Sequence, residues 1–314
     1  MTAYTRNAQL VWNVLNGVFN IYKPSGVHPL TVRSTIISNL CRDLNELDVR
    51  PPMEHVSIEG PTNKEMRVTV RNSYADHPLV VGPRYLPDNF KMAFANKLPV
   101  EASGVMICGV NSGTALTYKL KQACLTKFYR VKGILGQARV DNYITGSILE
   151  KATWKKVKRG NIDRICAAVQ AAHQKKMFEN SGIDIQSQEA FDLAAKGLIR
   201  PADQQIPTIY SIKCVDFKPP EFTLEIVCIN EDNEYLKSLV SEIGYRVKSV
   251  AHCSYIQCSQ FGHFNVKNSL LSKHWDLQNI LDSVSQCHRI IKENPYMIKQ
   301  EHANLVPAQA VAQQ

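Results

Sequence analysis

The run Phe128–Leu135 constrains this chain more than any other, because its residues can be arranged in only one way. Tyr129, Val131 and Leu135 fall on one side of a two-residue repeat, and Arg130 and Lys132 fall on the other. A strand with one apolar and one charged face belongs in a sheet whose apolar side is covered. Val18–Tyr22, Thr208–Phe217, Phe222–Ile229, Cys253–Cys258 and His263–Val266 also read as strands, and the apolar run Ser103–Val110 as a buried one. Helical spacing lies between them. It predicts helices over Thr31–Leu40, over about Thr114–Cys124, from Asn161 with Ile162, Ile165, Cys166 and Val169 inward, and over about Asp276–Lys292. Asp232 caps another, with Leu236, Leu239, Val240 and Ile243 inward, and Ser187 opens a short one that closes at Gly197 and Pro201. Hairpins and helices mix without regular βαβ alternation, which predicts an α+β (mixed α/β) domain.

Composition bears on the partner more than on the fold. The 314 residues carry 37 Lys and Arg against 28 Asp and Glu, a net charge of +9. Residues 117–160 alone hold eleven basic residues against Asp141 and Glu150, so one stretch accounts for the whole excess. A focused basic surface on an otherwise neutral chain points to a polyanion, RNA or DNA first; the competing reading is a solvated lysine-rich face. With 44% hydrophobic and 21% charged residues, the chain is not wholly disordered. No apolar run approaches the roughly 20 residues of a membrane-spanning helix, so no membrane insertion of that kind is expected. The nine cysteines are scattered, odd in number and without a CxxC pair. That pattern argues against a disulfide framework or a zinc module, and for a reducing compartment. The first 42 residues hold four basic residues and no acid, a weak sign of a targeting leader.

Generic catalytic motifs are missing: there is no P-loop, GxGxxG, HExxH or GxSxG. Several segments read in order, however, resemble the TruB-type pseudouridine synthases. Gly17-Val18-Phe19-Asn20-Ile21-Tyr22-Lys23-Pro24-Ser25-Gly26 resembles that family's first strand and KPxG turn. Lys97-Leu98-Pro99-Val100-Glu101-Ala102-Ser103-Gly104-Val105 resembles its R/T-L-D-x-x-A-S/T-G-V motif, and Leu125–Val131 its K-x-Y strand. Leu135-Gly136, Asp141 and Gly146 follow; Tyr235–Val240 with Ile243-Gly244 resembles the Y-I-R-x-L helix, and Phe261-Gly262-His263-Phe264 the R-x-G-x-F hairpin. Stretches at 173–175, 188–190, 196–201 and 219–222 are similar to mitochondrial members of the family.

The resemblance implies a long, bent, mostly antiparallel sheet flanked by helices, with a basic cleft and no accessory PUA domain. It divides the chain into an extension over 1–16, a synthase-like domain over 17–292 with an irregular insertion at 50–95, and a disordered tail over 293–314. It implies a partner, mitochondrial mRNA or rRNA in the matrix, with ribosome-assembly proteins as further candidates, and neither metal nor cofactor. Pseudouridine formation breaks the C1′–N1 bond of a uridine flipped into a pocket, turns the base over and rejoins it through C5, using a carboxylate held ionised by a cation. By resemblance, Tyr129 is the stacking and proton-handling residue, Lys237 replaces the arginine that pairs with the carboxylate, and Lys23 and Gly26 support the pocket floor. Lys127, Arg130, Lys132, Lys155, Lys156, Lys158 and Arg159 are the further candidates for RNA contact. Pro99 stands where the resemblance requires the catalytic aspartate. Proline cannot ionise, and Lys237 lacks the bidentate fork of arginine. The sequence therefore predicts isomerase activity lost or weak. The alternative is an active synthase using a displaced carboxylate, Glu101 first and Asp141 second.

Overall fold

The computed structural model describes residues 6–48, 53–61, 63, 65–180, 186–188, 190–192, 197–199, 206–298 and 305–307. Its centre is an eight-stranded sheet made of β1 (Gly17–Lys23), β2 (Met92–Phe94), β3 (Ala102–Val110), β4 (Lys127–Leu135), β5 (Thr208–Lys218), β6 (Glu221–Ile229), β7 (Ala251–Phe261) and β8 (Phe264–Asn265). The long strands lie in the order β1-β3-β7-β4-β6-β5, with β2 on β3 and β8 on β7. Every neighbouring pair is antiparallel except β3 and β7. Helices α1 (Ala8–Val14), α2 (Pro29–Asn45), α3 (Gly113–Gln122), α4 (Arg159–Asn180), α5 (Asn233–Arg246) and α6 (Leu277–Glu293) flank it. The molecule is therefore the mixed α/β fold that the two periodicities predict.

Local chemistry sets the elements that matter for the site. On β4, Tyr129 and Val131 are buried while Arg130 and Lys132 are exposed, as the alternation requires. Phe128, on the charged side, is buried too, because it joins Met177 of α4 with Tyr210, Val227 and Ile229 in a second small core. Helix α2 starts where His28 Nδ1 accepts from Leu30 N at 3.2 Å, with Pro29 in the first turn, where it fits without losing a bond. Asp232 caps α5, its Oδ1 accepting from Tyr235 N at 2.7 Å, which fixes how the chain leaves β6. Gly104 has φ +117°, and a Cβ there would lie 2.0 Å from the Cys258 carbonyl oxygen. The parallel pairing of β3 with β7 depends on that close approach.

The 50–95 segment is less irregular than its turn-rich sequence suggests. Glu54–Glu59 and Arg67–Asn72 form a hairpin that sets Val56 opposite Val70 and Ile58 opposite Val68. All four of these side chains are exposed. In the 1–16 extension, Asn7 caps α1 by accepting from Gln9 N and Leu10 N. At the other end Pro295–Met297 forms a 3-10 turn with Met297 buried, and Leu305–Pro307 pairs with Gly197–Ile199; the rest of 293–314 beyond Ile298 lies outside the described residues. Ser187 accepts from Ala190 N as the predicted cap, while Leu193 and Ala194 lie outside the described residues. All nine cysteines are free, eight of them buried. Among the described residues no helix is long and apolar enough to cross a membrane.

Candidate active site

A cleft of about 510 Å³ opens where the segment before β3, the start of β4 and the turn into α5 meet, and the start of α2 borders it. Residues 96–101 form one wall, Lys127 and Tyr129 the floor, and residues 231–234 the other wall, with His28 and Pro29 beside them. The register explains this meeting. On β7, Cys258 lies between Gly104 of β3 and Tyr129 of β4, so the ASGV segment and the tyrosine are one strand apart.

Four residues singled out in the sequence converge here. Pro99, Glu101 and Tyr129 line the cleft. Lys237 of α5 does not line the cleft itself, but its side chain, only 4% exposed, reaches Glu101 and Glu234, which do. Its Nζ lies 2.7 Å from Glu234 Oε1 and 3.7 Å from Glu101 Oε1, and 5.6 Å above the Tyr143 ring. Burial disfavours the Lys237 charge, but the hydrogen bond to Glu234 and the charge of Glu101 outweigh it and raise its pKa. Asp141 takes the left-handed conformation in a turn, φ +59°, and adds a weaker pull on Lys237.

Lys23 supports the site from behind. It is fully buried, and its Nζ donates to the carbonyls of Pro24 at 3.0 Å, Val100 at 3.2 Å and Ala102 at 2.8 Å. All three ammonium protons are thus committed to backbone carbonyls, tying the turn after β1 to the chain around Val100 and Ala102, so direct contact with RNA is closed to this lysine, contrary to its place among the expected RNA contacts. Gly26 completes the turn: its N donates to Val100 O at 2.8 Å, with φ +83°. Burial lowers the Lys23 pKa to about 8, against the opposing charge of Glu101.

Two expectations need correction. The cleft is not basic, since Glu101, Glu231, Asp232 and Glu234 face Lys97 and Lys127 across it. Nor do the basic residues of 117–160 gather in one place. Strand alternation puts Arg130 and Lys132 on the far face of the sheet, where Arg130 pairs with Glu225 at 2.6 Å and Lys132 lies 5.9 Å over the Tyr255 ring. Lys155, Lys156, Lys158 and Arg159 form an exposed group at the start of α4, with Arg159 also donating to Cys214 O at 3.0 Å. Of the proposed RNA contacts only Lys127 lines the cleft.

No motif or spacing points to Glu231. Its side chain is 2% exposed, and Oε1 accepts from both Lys127 Nζ and Tyr129 Oη at 2.7 Å. Burial and then the charge of Glu231 push the Tyr129 phenol well above its ordinary range. Burial works against the Lys127 charge, yet Glu231 overrides it and raises that pKa. Among the described residues no cluster of three or more His, Cys, Asp or Glu side chains is arranged to hold a metal ion.

The chain belongs to the TruB family of pseudouridylate synthases. Residues 84–233 match the family described as "TruB family pseudouridylate synthase (N terminal domain)". The chain is 38% identical over 284 residues to "Pseudouridylate synthase TRUB2, mitochondrial" of Xenopus tropicalis, covering 88% of this chain and 87% of that one. It is 37% identical over 277 residues to the protein of the same name from Homo sapiens, covering 86% and 83%. This places the chain with the mitochondrial members of the family. Among solved structures, "Crystal structure of the archaeal box H/ACA sRNP Nop10-Cbf5 complex" superposes with a TM-score of 0.45 at 15% identity, over 91% of this chain and 58% of that one.

Proposed function

We propose that this protein binds mitochondrial mRNA or rRNA in the matrix, serving RNA metabolism and ribosome assembly, with its uridine isomerase activity lost or weak. The observation that carries this reading is Pro99. It lines the cleft in the motif position where the family resemblance calls for the aspartate, so no carboxylate projects from that point toward the space over Tyr129. Isomerisation needs a carboxylate at the sugar or ring of the flipped uridine, and a displacement of about 1 Å can cost a hundredfold in rate. Glu231 borders the cleft but does not supply it, because its side chain is 2% exposed and its Oε1 is held by Lys127 and Tyr129. What remains is a pocket within the roughly 300–1,000 Å³ that small ligands occupy, with an aromatic floor on which a base can stack. The exposed cations at 155–159 supply phosphate contacts outside it.

One observation favours the second reading, an active synthase with a displaced carboxylate. Glu101 faces the same cleft and lies 3.7 Å from Lys237, the residue that replaces the family's arginine. A single long contact to an ammonium lacks the orienting fork of a guanidinium, so this carboxylate is held loosely.

Both readings meet in one assay: conversion of uridine to pseudouridine in mitochondrial RNA by the purified wild type, Pro99→Asp and Glu101→Gln. The expected result is little or no product from the wild type and measurable product from Pro99→Asp. Wild-type turnover at a family-like rate that Glu101→Gln abolishes would overturn the first reading and establish the second.

A further inference from the structure

Lys127 and Tyr129, the lysine and tyrosine of the K-x-Y strand, form a cluster with Glu231, a residue that neither the motifs nor the proposed chemistry uses. Lys127 and Tyr129 stand two residues apart on β4 and so share one face of the sheet. Glu231 reaches them from just beyond β6, the strand that pairs with β4. Its Oε1 takes both of their hydrogen bonds at 2.7 Å, and its Oε2 accepts the Cys228 thiol at 3.6 Å. A carboxylate buried this deeply is tolerated only with a cation and full hydrogen bonding, and here it has both. The tyrosine hydroxyl is thereby spent. It donates into the protein, and its proton stays on the phenol far above neutral pH.

We propose that Glu231, locked by Lys127, is the positioning residue for Tyr129. It fixes the ring as a rigid stacking face for a pyrimidine base and keeps the phenol proton turned away from the cleft. A ring tethered at its hydroxyl loses little motion when a base lands on it, so less of the stacking energy is lost to ordering. Glu231 therefore acts on RNA through Tyr129 and not by contact of its own. The inference rests on the proposed entry of an RNA base into this cleft.

The test is a double-mutant cycle read by fluorescence anisotropy. The probes are a labelled oligouridylate and an abasic ribose-phosphate oligomer of the same length, which reports backbone contacts alone. The measured quantity is the ratio of the two affinities, so the altered charge at position 231 cancels. Tyr129→Leu is expected to lower the ratio about five- to hundredfold, the range that loss of one stacked base spans. Glu231→Gln is expected to lower it about three- to tenfold. In the Tyr129→Leu background Glu231→Gln should produce no further change, an outcome that a merely structural role does not give. If Glu231→Gln leaves the ratio unchanged, or lowers it equally in both backgrounds, the positioning role is wrong while base binding stands. If Tyr129→Leu has no effect on the ratio, entry of a base into the cleft falls, and the positioning role with it. Should Glu231→Gln fail to fold, Glu231→Asp, which keeps the charge but withdraws it by one methylene, carries the same comparison.

Discussion

Two lysine–carboxylate pairs border one cleft, alike in chemistry and opposite in setting. At the sealed end Lys127 and Glu231 meet at 2.7 Å beneath Tyr129, and the carboxylate is almost wholly enclosed. At the open end Lys237 is enclosed, but its partners are not: Glu101 is 36% exposed at 3.7 Å, and Glu234 is 72% exposed. Water screens the second pair and hardly reaches the first, so the same charges interact far more strongly at the sealed end. The sealed pair holds shape. The open pair divides one lysine between two solvated acids.

The difference can be broken at the sealed end first. Glu231→Ala strands a cation in the core and leaves a phenol without its acceptor, and it should destabilise the fold by about 3–5 kcal/mol in urea unfolding at neutral pH. A loss below about 1 kcal/mol would put the two ends on a par. Next in size is Lys23, which lies behind the open wall with a pKa lowered to about 8 from the ordinary 10.5. Between those values the unfolded chain binds a proton that the folded chain has released. Stability should therefore rise with pH across that window, by at most about 3 kcal/mol, and the rise should be missing in Lys23→Met. Lys127 works the other way: its raised pKa means that stability is lost once pH climbs through the folded value, above 10.5. The smallest effect belongs to Lys237→Ala. With its partners solvated it should cost about 1 kcal/mol or less, and about 1 M salt should shrink that difference. The same salt should leave the Glu231→Ala deficit largely intact. Equal salt sensitivity at both ends would refute the contrast.

The architecture was readable in the sequence wherever side-chain period reports burial. The six long strands and helices α2, α3, α5 and α6 lie within a few residues of the segments predicted from alternation, helical spacing and caps. Met92–Phe94 was not readable, since three residues carry no period, and neither was α1, whose seven residues rest on the Asn7 cap. The motifs brought Pro99, Glu101, Tyr129 and Lys237 to one place because each lies in or just before the first turns or residues of a regular element: Pro99 and Glu101 before β3, Tyr129 early in β4 and Lys237 early in α5. Glu231 stayed hidden. It meets Tyr129 across 102 residues of sequence, in a turn where no repeat shows which way a side chain points. The basic run between 117 and 160 misled for a related reason: charge adjacent in sequence is divided between two faces once part of it becomes a strand.

The place of β7 in the sheet has a consequence for the order in which the molecule is made. β1 and β3 form one ribbon, β4, β6 and β5 form another, and among the described strands only residues 251–261 lie between the two in the sheet. A nascent chain leaves the ribosome amino end first, so both ribbons are synthesised before their seam is. The parts of the pocket belong to different ribbons: the wall with Pro99 leads into the first, and the floor with Tyr129 lies in the second. The cleft cannot exist during most of translation; it assembles only when the last quarter of the polypeptide arrives.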